Sequence, residues 1–173
     1  MNADQPIRAD TPQPGQLRFR PMDEVSARAI LTWHYDPPYD IYDPAPEDVD
    51  AELRLLVNPD SAYYVIEDAT GDLLAYCCFG AEGQVPGADY STDALDIGLG
   101  VRPDLTGQGR GSSFVDAVIL FARCTWAAAA FRVTIAQFNR RAQHVWERAG
   151  FRREQVFGRS ADGMPFVVLT REA

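Results

Sequence analysis

A strand, a glycine-rich turn and a helix follow one another directly in residues 94–127, and this order limits the folds open to the chain. ALDIGLGV (94–101) has strand character, and residues 110–127 repeat apolar side chains at helical spacing. A further strand, FRVTIA (131–136), comes next. Because the helix lies between two strands, the segment predicts a crossover connection within one sheet.

The remaining segments extend this pattern along the chain. Five further strands and three further helices are predicted: strands at 17–22, 62–68, 72–80, 151–157 and 165–172, and helices at 23–35, 46–57 and 139–150. Asp23 and Asn139 stand where helix N-caps are expected, and Gly150 stands where a helix would end. The order β α α β β β α β α β β predicts an α/β or α+β domain around a single mixed sheet.

Length and composition fit one domain. The 173 residues are 46% hydrophobic, and no apolar run approaches the length of a membrane span. Residues 1–16 are polar and proline-rich without the apolar core of a secretory signal, so we expect a flexible lead-in before a single domain at 17–173. An odd count of three cysteines then favours reduced thiols in a cytoplasmic protein, and no Cys/His spacing predicts a metal site.

The net charge of −9 argues against nucleic acid as the main partner, since binding phosphates needs a basic face. It is compatible with a cationic partner and equally with acidity that serves solubility alone. A membrane partner is not expected, and the sequence leaves both a monomer and a homodimer open.

The turn itself has the character of an anion site. Gly107, Gly109 and Gly111 precede a helix whose first N–H groups have no partner within the helix, and glycine lets the backbone approach a phosphate closely. Arg102 and Arg110 are the predicted counter-charges. No P-loop lysine is present, and Ser112 stands where a dinucleotide motif needs its third glycine, which disfavours nucleotide binding. A tight turn without a ligand remains the alternative.

The strand before the turn carries glycine on one face. In DIGLGV the side chains of Asp96, Gly98 and Gly100 alternate with apolar ones. Two glycines weaken a strand, so we expect something to approach this face closely, such as an extended ligand arm. Asp96 would then lie near the reactive end of that ligand.

Two segments together resemble the GCN5-related N-acetyltransferase family: VRPDLTGQGRGSSF (101–114) and NRRAQHVWERAGF (139–151). In that family an [RQ]-x-x-G-x-[GA] turn binds the pyrophosphate of acetyl-CoA, and an N-x-x-A-x-x-x-Y-x-x-x-G-F segment completes the site. The resemblance implies the acyl-CoA N-acyltransferase fold, with a mostly antiparallel mixed sheet and helices on both faces. The stretch TWHYDPPYDIYD (32–43) is also similar to a small bacterial branch of the family.

The resemblance implies acetyl-CoA as cosubstrate. The implied cofactor-binding residues come from the strand, the turn and the later helix: Leu99, Gly100, Val101, Thr106, Gly107, Gln108, Gly109, Arg110, Gly111, Ser112, Asn139 and Trp146. Two of them depart from the family pattern, since Thr106 replaces an arginine or glutamine and Trp146 replaces a tyrosine. Arg140 and Arg141 either meet the CoA phosphates or lie on a solvated face.

The sequence gives the least information about which residues act as the general base and the general acid. Asp96 is the first candidate for a general base, because an alkylammonium must lose a proton before it attacks. Many family members use a glutamate five residues before the asparagine, and here that position is Thr134. Glu82 and Asp93 are weaker candidates. Trp146 can donate a hydrogen bond but cannot deliver a proton, and packing on a helical apolar stripe is its simpler role.

The acceptor is expected to meet the aromatic stretch. Trp33, Tyr35, Tyr39 and Tyr42 are the candidate substrate-binding residues, because aromatic faces interleaved with carboxylates suit an ammonium group. The alternative is that these rings fasten the loop to the core. The function predicted overall is an acetyl-CoA-dependent N-acetyltransferase acting on a primary amine of a small molecule or peptide. A catalytically weak CoA-binding regulatory module of the same fold is the rival.

Overall fold

The computed structural model describes residues 17–43 and 49–173. The predicted lead-in (1–16) and the first residues of the predicted second helix (46–48) lie outside it. The described part contains seven strands and four α-helices: β1 Arg18–Pro21, α1 Glu24–Ile30, α2 Val49–Val57, β2 Tyr63–Glu67, β3 Leu73–Phe79, β4 Leu95–Val101, α3 Gly111–Thr125, β5 Ala130–Ala136, α4 Arg140–Arg148, β6 Arg152–Gly158 and β7 Pro165–Glu172.

The described strands form one mixed sheet in the order β1-β2-β3-β4-β5-β7-β6. Neighbouring strands pair antiparallel except β4 and β5, which run parallel and are connected through α3. This confirms the predicted element order and the single mixed, mostly antiparallel sheet. The β5–α4–β6 connection crosses over β7, which pairs between those two strands.

Helices cover both faces of the sheet. Adjacent β2 residues divide between two buried clusters: Ile66 packs with α3 and α4, and Val65 packs with α1 and α2. This alternation is what a strand buried on both faces requires. No helix within residues 17–43 and 49–173 is long and apolar enough to cross a bilayer.

Side-chain caps fix the helix starts that the sequence predicts. The Asp23 carboxylate accepts the backbone N–H of Ser26 at 2.7 Å, and the Asn139 side-chain oxygen accepts that of Ala142 at 3.1 Å. Helix α1 ends at Ile30 rather than at the predicted residue 35. Beyond it the chain turns at residues 31–32 and does not continue as a helix.

Candidate active site

The site begins where β4 and β5 separate. These strands pair only at Leu95–Phe131 and Asp96–Arg132, whereas β4 pairs with β3 as far as Val101. The N–H of Arg102 donates to the Leu74 carbonyl at 2.9 Å, and antiparallel pairing alternates from residue to residue. The backbone polar groups of Ile97, Leu99 and Val101 therefore face the opening towards β5. An unpaired strand edge of this kind can bind the amide groups of an extended ligand.

Asp96 lies at the closed end of this opening as half of an ion pair. Its carboxylate accepts two hydrogen bonds from the Arg132 guanidinium, from Nε at 2.6 Å and from Nη2 at 2.8 Å. The two side chains are 3% and 4% exposed, and the Gln84 amide donates a further bond at 2.8 Å. This carboxylate does not border the cavity described below. This geometry does not fit the predicted general-base role of Asp96 and favours a structural role in joining β4 to β5.

A cavity of about 490 Å³ occupies the opening. It brings together most of the predicted cofactor-binding residues, which come from β4, the turn, α3 and α4: Leu99, Gly100, Val101, Thr106, Gly107, Gly109, Gly111, Ser112, Asn139 and Trp146. Gln108 and Arg110 do not reach its wall. The Gln108 amide turns back to the Asp104 carbonyl, and Arg110 Nε is buried with no hydrogen-bond partner in the part of the chain that the structure describes.

The turn has the backbone geometry that its glycines predict. Gly107 and Gly109 have φ of +73° and +77°, in the region that side chains disfavour, and Gly111 begins the fifteen-residue helix α3. The counter-charge differs from prediction. Arg102 is bound to Asp72 and Asp104, whereas the Arg141 guanidinium lies 3.1 Å from the position a Cβ would take at Gly107. Arg141 therefore supplies the positive charge beside the turn.

The glycine face of β4 is filled by neighbouring side chains of β3. A Cβ at Gly98 would clash with Cys78 Sγ, and one at Gly100 would clash with the ring of Tyr76. The expected close approach therefore exists, but its cause within the protein is Cys78 and Tyr76 rather than a ligand arm. The open edge of β4, rather than this face, has room for an extended ligand.

The aromatic stretch (32–43) forms one side of the cavity. The Tyr35 hydroxyl donates to the Val101 carbonyl at 2.9 Å, and the Asn139 amide donates to the Tyr42 hydroxyl at 3.2 Å. The Arg141 guanidinium stacks 4.1 Å from the centre of the Tyr39 ring. All three tyrosines line the cavity. These contacts fasten the stretch to both β4 and α4.

Trp33 does not take part in this arrangement, contrary to the prediction. It is 9% exposed and packs in the core beneath α1 and α2, with its ring centre 5.9 Å from that of Tyr76. This position agrees with the alternative that the Trp33 ring fastens the stretch to the core.

Carboxylates are missing from the cavity wall in the described ranges 17–43 and 49–173. Asp43 binds the backbone N–H of Tyr35 at 2.9 Å and the His34 ring at 3.1 Å, which holds the stretch in shape. Glu82 and Asp93, the weaker base candidates, also lie away from the wall. The site therefore offers hydroxyl groups and cations where a carboxylate base was expected.

Trp146 packs as its helical spacing predicts. It is 5% exposed and meets the Phe151 ring edge-on, with the ring centres 4.9 Å apart. The same residue borders the cavity, so its ring forms part of the wall.

Sequence reasoning did not name Tyr76 as a site residue, and it did not decide the role of Arg141. Tyr76 reaches the cavity because the β3–β4 register sets it opposite Gly100, and no local pattern reveals such a register. For Arg141 the sequence left two roles open, contact with the CoA phosphates or a place on a solvated face. Arg141 and His144 are three residues apart, a spacing that places two side chains on the same face of a helix. Both residues line the cavity.

The arrangement suits acetyl-CoA. The open β4 edge can hold the amide groups of the pantetheine arm, and the turn with the start of α3 and Arg141 can hold the diphosphate. The pantetheine arm also requires apolar surface, and the side chains of Leu99, Val101 and Trp146 supply it in the cavity wall.

Comparison with known proteins gives one family match and many similar folds. Residues 27–151 match the model of the Acetyltransferase (GNAT) family. No curated protein is similar enough in sequence to be recognised as a relative. Among solved structures, a GNAT-family acetyltransferase from Bacillus anthracis has a TM-score of 0.69 at 15% identity, covering 91% of this chain and 95% of the other.

Two further solved structures carry substrate names. A spermidine N-acetyltransferase chimera from Vibrio cholerae and hSSAT has a TM-score of 0.71 at 17% identity, covering 91% of this chain and 95% of its own. An aminoglycoside N(6')acetyltransferase from Legionella pneumophila has a TM-score of 0.67 at 17% identity, and the match covers 90% of this chain and 91% of the other. At these identities the likeness shows a shared fold.

Proposed function

Since this chain belongs to the GNAT family of acetyltransferases, we propose that it transfers the acetyl group of acetyl-CoA to a primary amine of a small molecule or peptide. The observation that carries the proposal is one cavity that joins the open β4 edge, the glycine turn and the N-terminus of α3. The family match supports the acyl donor and the reaction type. The acceptor is proposed from the cavity wall alone.

The residues of this chain have separate tasks in that reaction. The turn and Arg141 bind the diphosphate, and the edge of β4 aligns the arm. Acetyl-CoA, when bound, supplies a thioester that an amine can attack directly. An N–H group of the open edge, such as that of Leu99, can stabilise the negative charge that develops on oxygen. Holding both reactants in one cavity supplies much of the rate.

The acceptor end favours an amine with a single charge. Tyr35 and Tyr42 line the cavity with aromatic rings to which one ammonium can bind, whereas the Tyr39 ring is stacked on Arg141, and no described carboxylate on the wall is placed to pair with a second ammonium. Without such a carboxylate the amine proton leaves to water, so an amine that is partly neutral at the working pH reacts faster. We therefore propose a monoamine or a peptide amine rather than a polyamine.

A panel of amines tests the acceptor class. We expect kcat/KM, measured by thiol release from acetyl-CoA, to be at least about tenfold higher for an aromatic monoamine or peptide amine than for spermidine or an aminoglycoside. The reason is that an unpaired second ammonium costs about 1.4 kcal/mol or more on entry. A preference for spermidine would contradict the single-charge proposal, while acetyl transfer to either class supports the enzyme.

One observation favours a second candidate function. The described cavity wall has no carboxylate and carries Trp146 where a proton-donating tyrosine is typical, as a CoA-binding regulatory module would. That candidate predicts acetyl-CoA binding with no thiol release above the uncatalysed rate for any amine in the panel. Measured turnover would exclude it.

A further inference from the structure

Tyr76 reaches the cavity across the backbone of β4. It lies in β3 directly opposite Gly100, and a Cβ at Gly100 would clash with its ring and lie 2.8 Å from its hydroxyl oxygen. The ring therefore occupies the space that a side chain at this position would fill. Because Gly100 leaves that space open, the phenol borders the cavity beside the open edge of β4.

Aromatic packing holds this ring in place. Its centre lies 5.9 Å from that of Trp33 and 6.4 Å from that of Tyr63. These contacts involve the ring and do not depend on the Tyr76 hydroxyl. Loss of that hydroxyl should accordingly leave the ring position and the fold intact.

The Tyr76 hydroxyl stays protonated at neutral pH. Burial raises its pKa above the ordinary value, and the nearby Tyr35, Cys78 and Glu52 raise it further. A neutral phenol in the wall is a hydrogen-bond donor that can also release a proton.

Tyr35 and Trp146 are less suited to release a proton from the cavity wall. The Tyr35 hydroxyl already donates its proton to the Val101 carbonyl. Trp146 carries an indole N–H, which does not release a proton in this pH range. Tyr76 is thus a wall residue with the kind of proton donor that the Trp146 position lacks.

We infer that Tyr76 is the acid that protonates the leaving sulfur of CoA. This rests on the proposed function. The amine nitrogen bonds to the acetyl carbon, and the carbon–sulfur bond breaks with its electron pair passing to sulfur. Tyr76 gives its hydroxyl proton to that sulfur. The proton released by the attacking nitrogen goes to solvent, and solvent returns a proton to the Tyr76 phenolate.

Tyr76→Phe tests this role, with Tyr63→Phe as the matched control. Tyr63 is a neighbouring tyrosine in the same aromatic cluster, and it does not line the cavity. The first readout is the pKa of the CoA thiol bound to each protein, followed by thiolate absorbance. The spectrum of the same protein with desulfo-CoA is subtracted, so that the protein cysteines cancel. The second readout is kcat with the best amine of the panel.

We expect Tyr76→Phe to raise the pKa of bound CoA thiol by about one to two pH units, the effect of losing one hydrogen bond to a charged group. We expect kcat to fall by about 10²-fold or more, with KM for acetyl-CoA changed only slightly. Tyr63→Phe should match the wild type in both. Adding Trp146→Tyr to Tyr76→Phe should restore part of the lost kcat.

The outcomes separate the two proposals. Wild-type turnover together with an unchanged thiol pKa and kcat in Tyr76→Phe would overturn the role of Tyr76 and leave the acetyltransferase intact. Wild-type protein that neither binds CoA nor releases thiol would overturn both. A fall in kcat shared equally by Tyr63→Phe would show a general effect of the aromatic cluster and would also contradict the inference.

Discussion

Asp96→Ala is expected to lower the free energy of unfolding by about 3–5 kcal/mol. The substitution leaves the Arg132 guanidinium buried with a 4% exposed side chain and without its carboxylate partner. An uncompensated buried charge is costly because the protein interior solvates it poorly. The loss also removes the ion pair between β4 and β5 at the point where their backbone pairing ends.

Chemical denaturation measures this effect, and an exposed pair provides the control. Glu24 and Arg28 are spaced i,i+4 on α1, with side chains 63% and 60% exposed. Glu24→Ala should therefore cost no more than about 0.5 kcal/mol. Equal losses for the two variants would contradict the structural role assigned to Asp96.

The same position tests the correction to the catalytic interpretation. Asp96→Asn keeps the side-chain shape and one acceptor oxygen, and the folded fraction should retain kcat within a few-fold. A collapse of kcat in a variant that is folded and binds acetyl-CoA normally would restore Asp96 as the base.

Gly109→Asp is expected to bind acetyl-CoA about 100-fold more weakly than Gly109→Asn. Gly109 has φ of +77° and no described atom lies within 4 Å of where its Cβ would be, so both side chains fit and carry the same backbone strain. Asn and Asp tolerate this conformation best among residues with side chains. Only the charge differs between them, and it would face the diphosphate.

The magnitude follows from Coulomb repulsion. Two unit charges about 4 Å apart repel by about 4 kcal/mol at an effective dielectric constant of 20, and screening at an exposed turn reduces this towards the 100-fold expected. Isothermal titration of both variants with acetyl-CoA gives the ratio directly. Equal affinities would mean that no phosphate lies at the turn.

Local sequence determined the parts of the site that were predicted well. The β4 strand, the glycine turn and α3 are continuous in the chain, and each is specified by its own residues. The caps at Asp23 and Asn139 act over three residues, so a short pattern reveals them. The family resemblance then assigned these elements to one ligand.

Pairings between distant strands account for what the sequence missed. Asp96 meets Arg132 across 36 residues through the short parallel β4–β5 ladder, and nothing near Asp96 indicates that partner. Tyr76 enters the site through its register with Gly100. Both contacts depend on which strands pair with each other. A pattern of polar and apolar residues does not determine that pairing.

The central claim is that the opening between β4 and β5 is an acetyl-CoA site, and thermal unfolding with and without the ligand tests it most directly. Acetyl-CoA at 100 times its Kd should add about 2.7 kcal/mol of stability and raise Tm by roughly 5–10 °C. ATP and NAD at the same concentration should give much smaller shifts. A Tm unchanged by acetyl-CoA, or raised equally by ATP or NAD, would contradict the account.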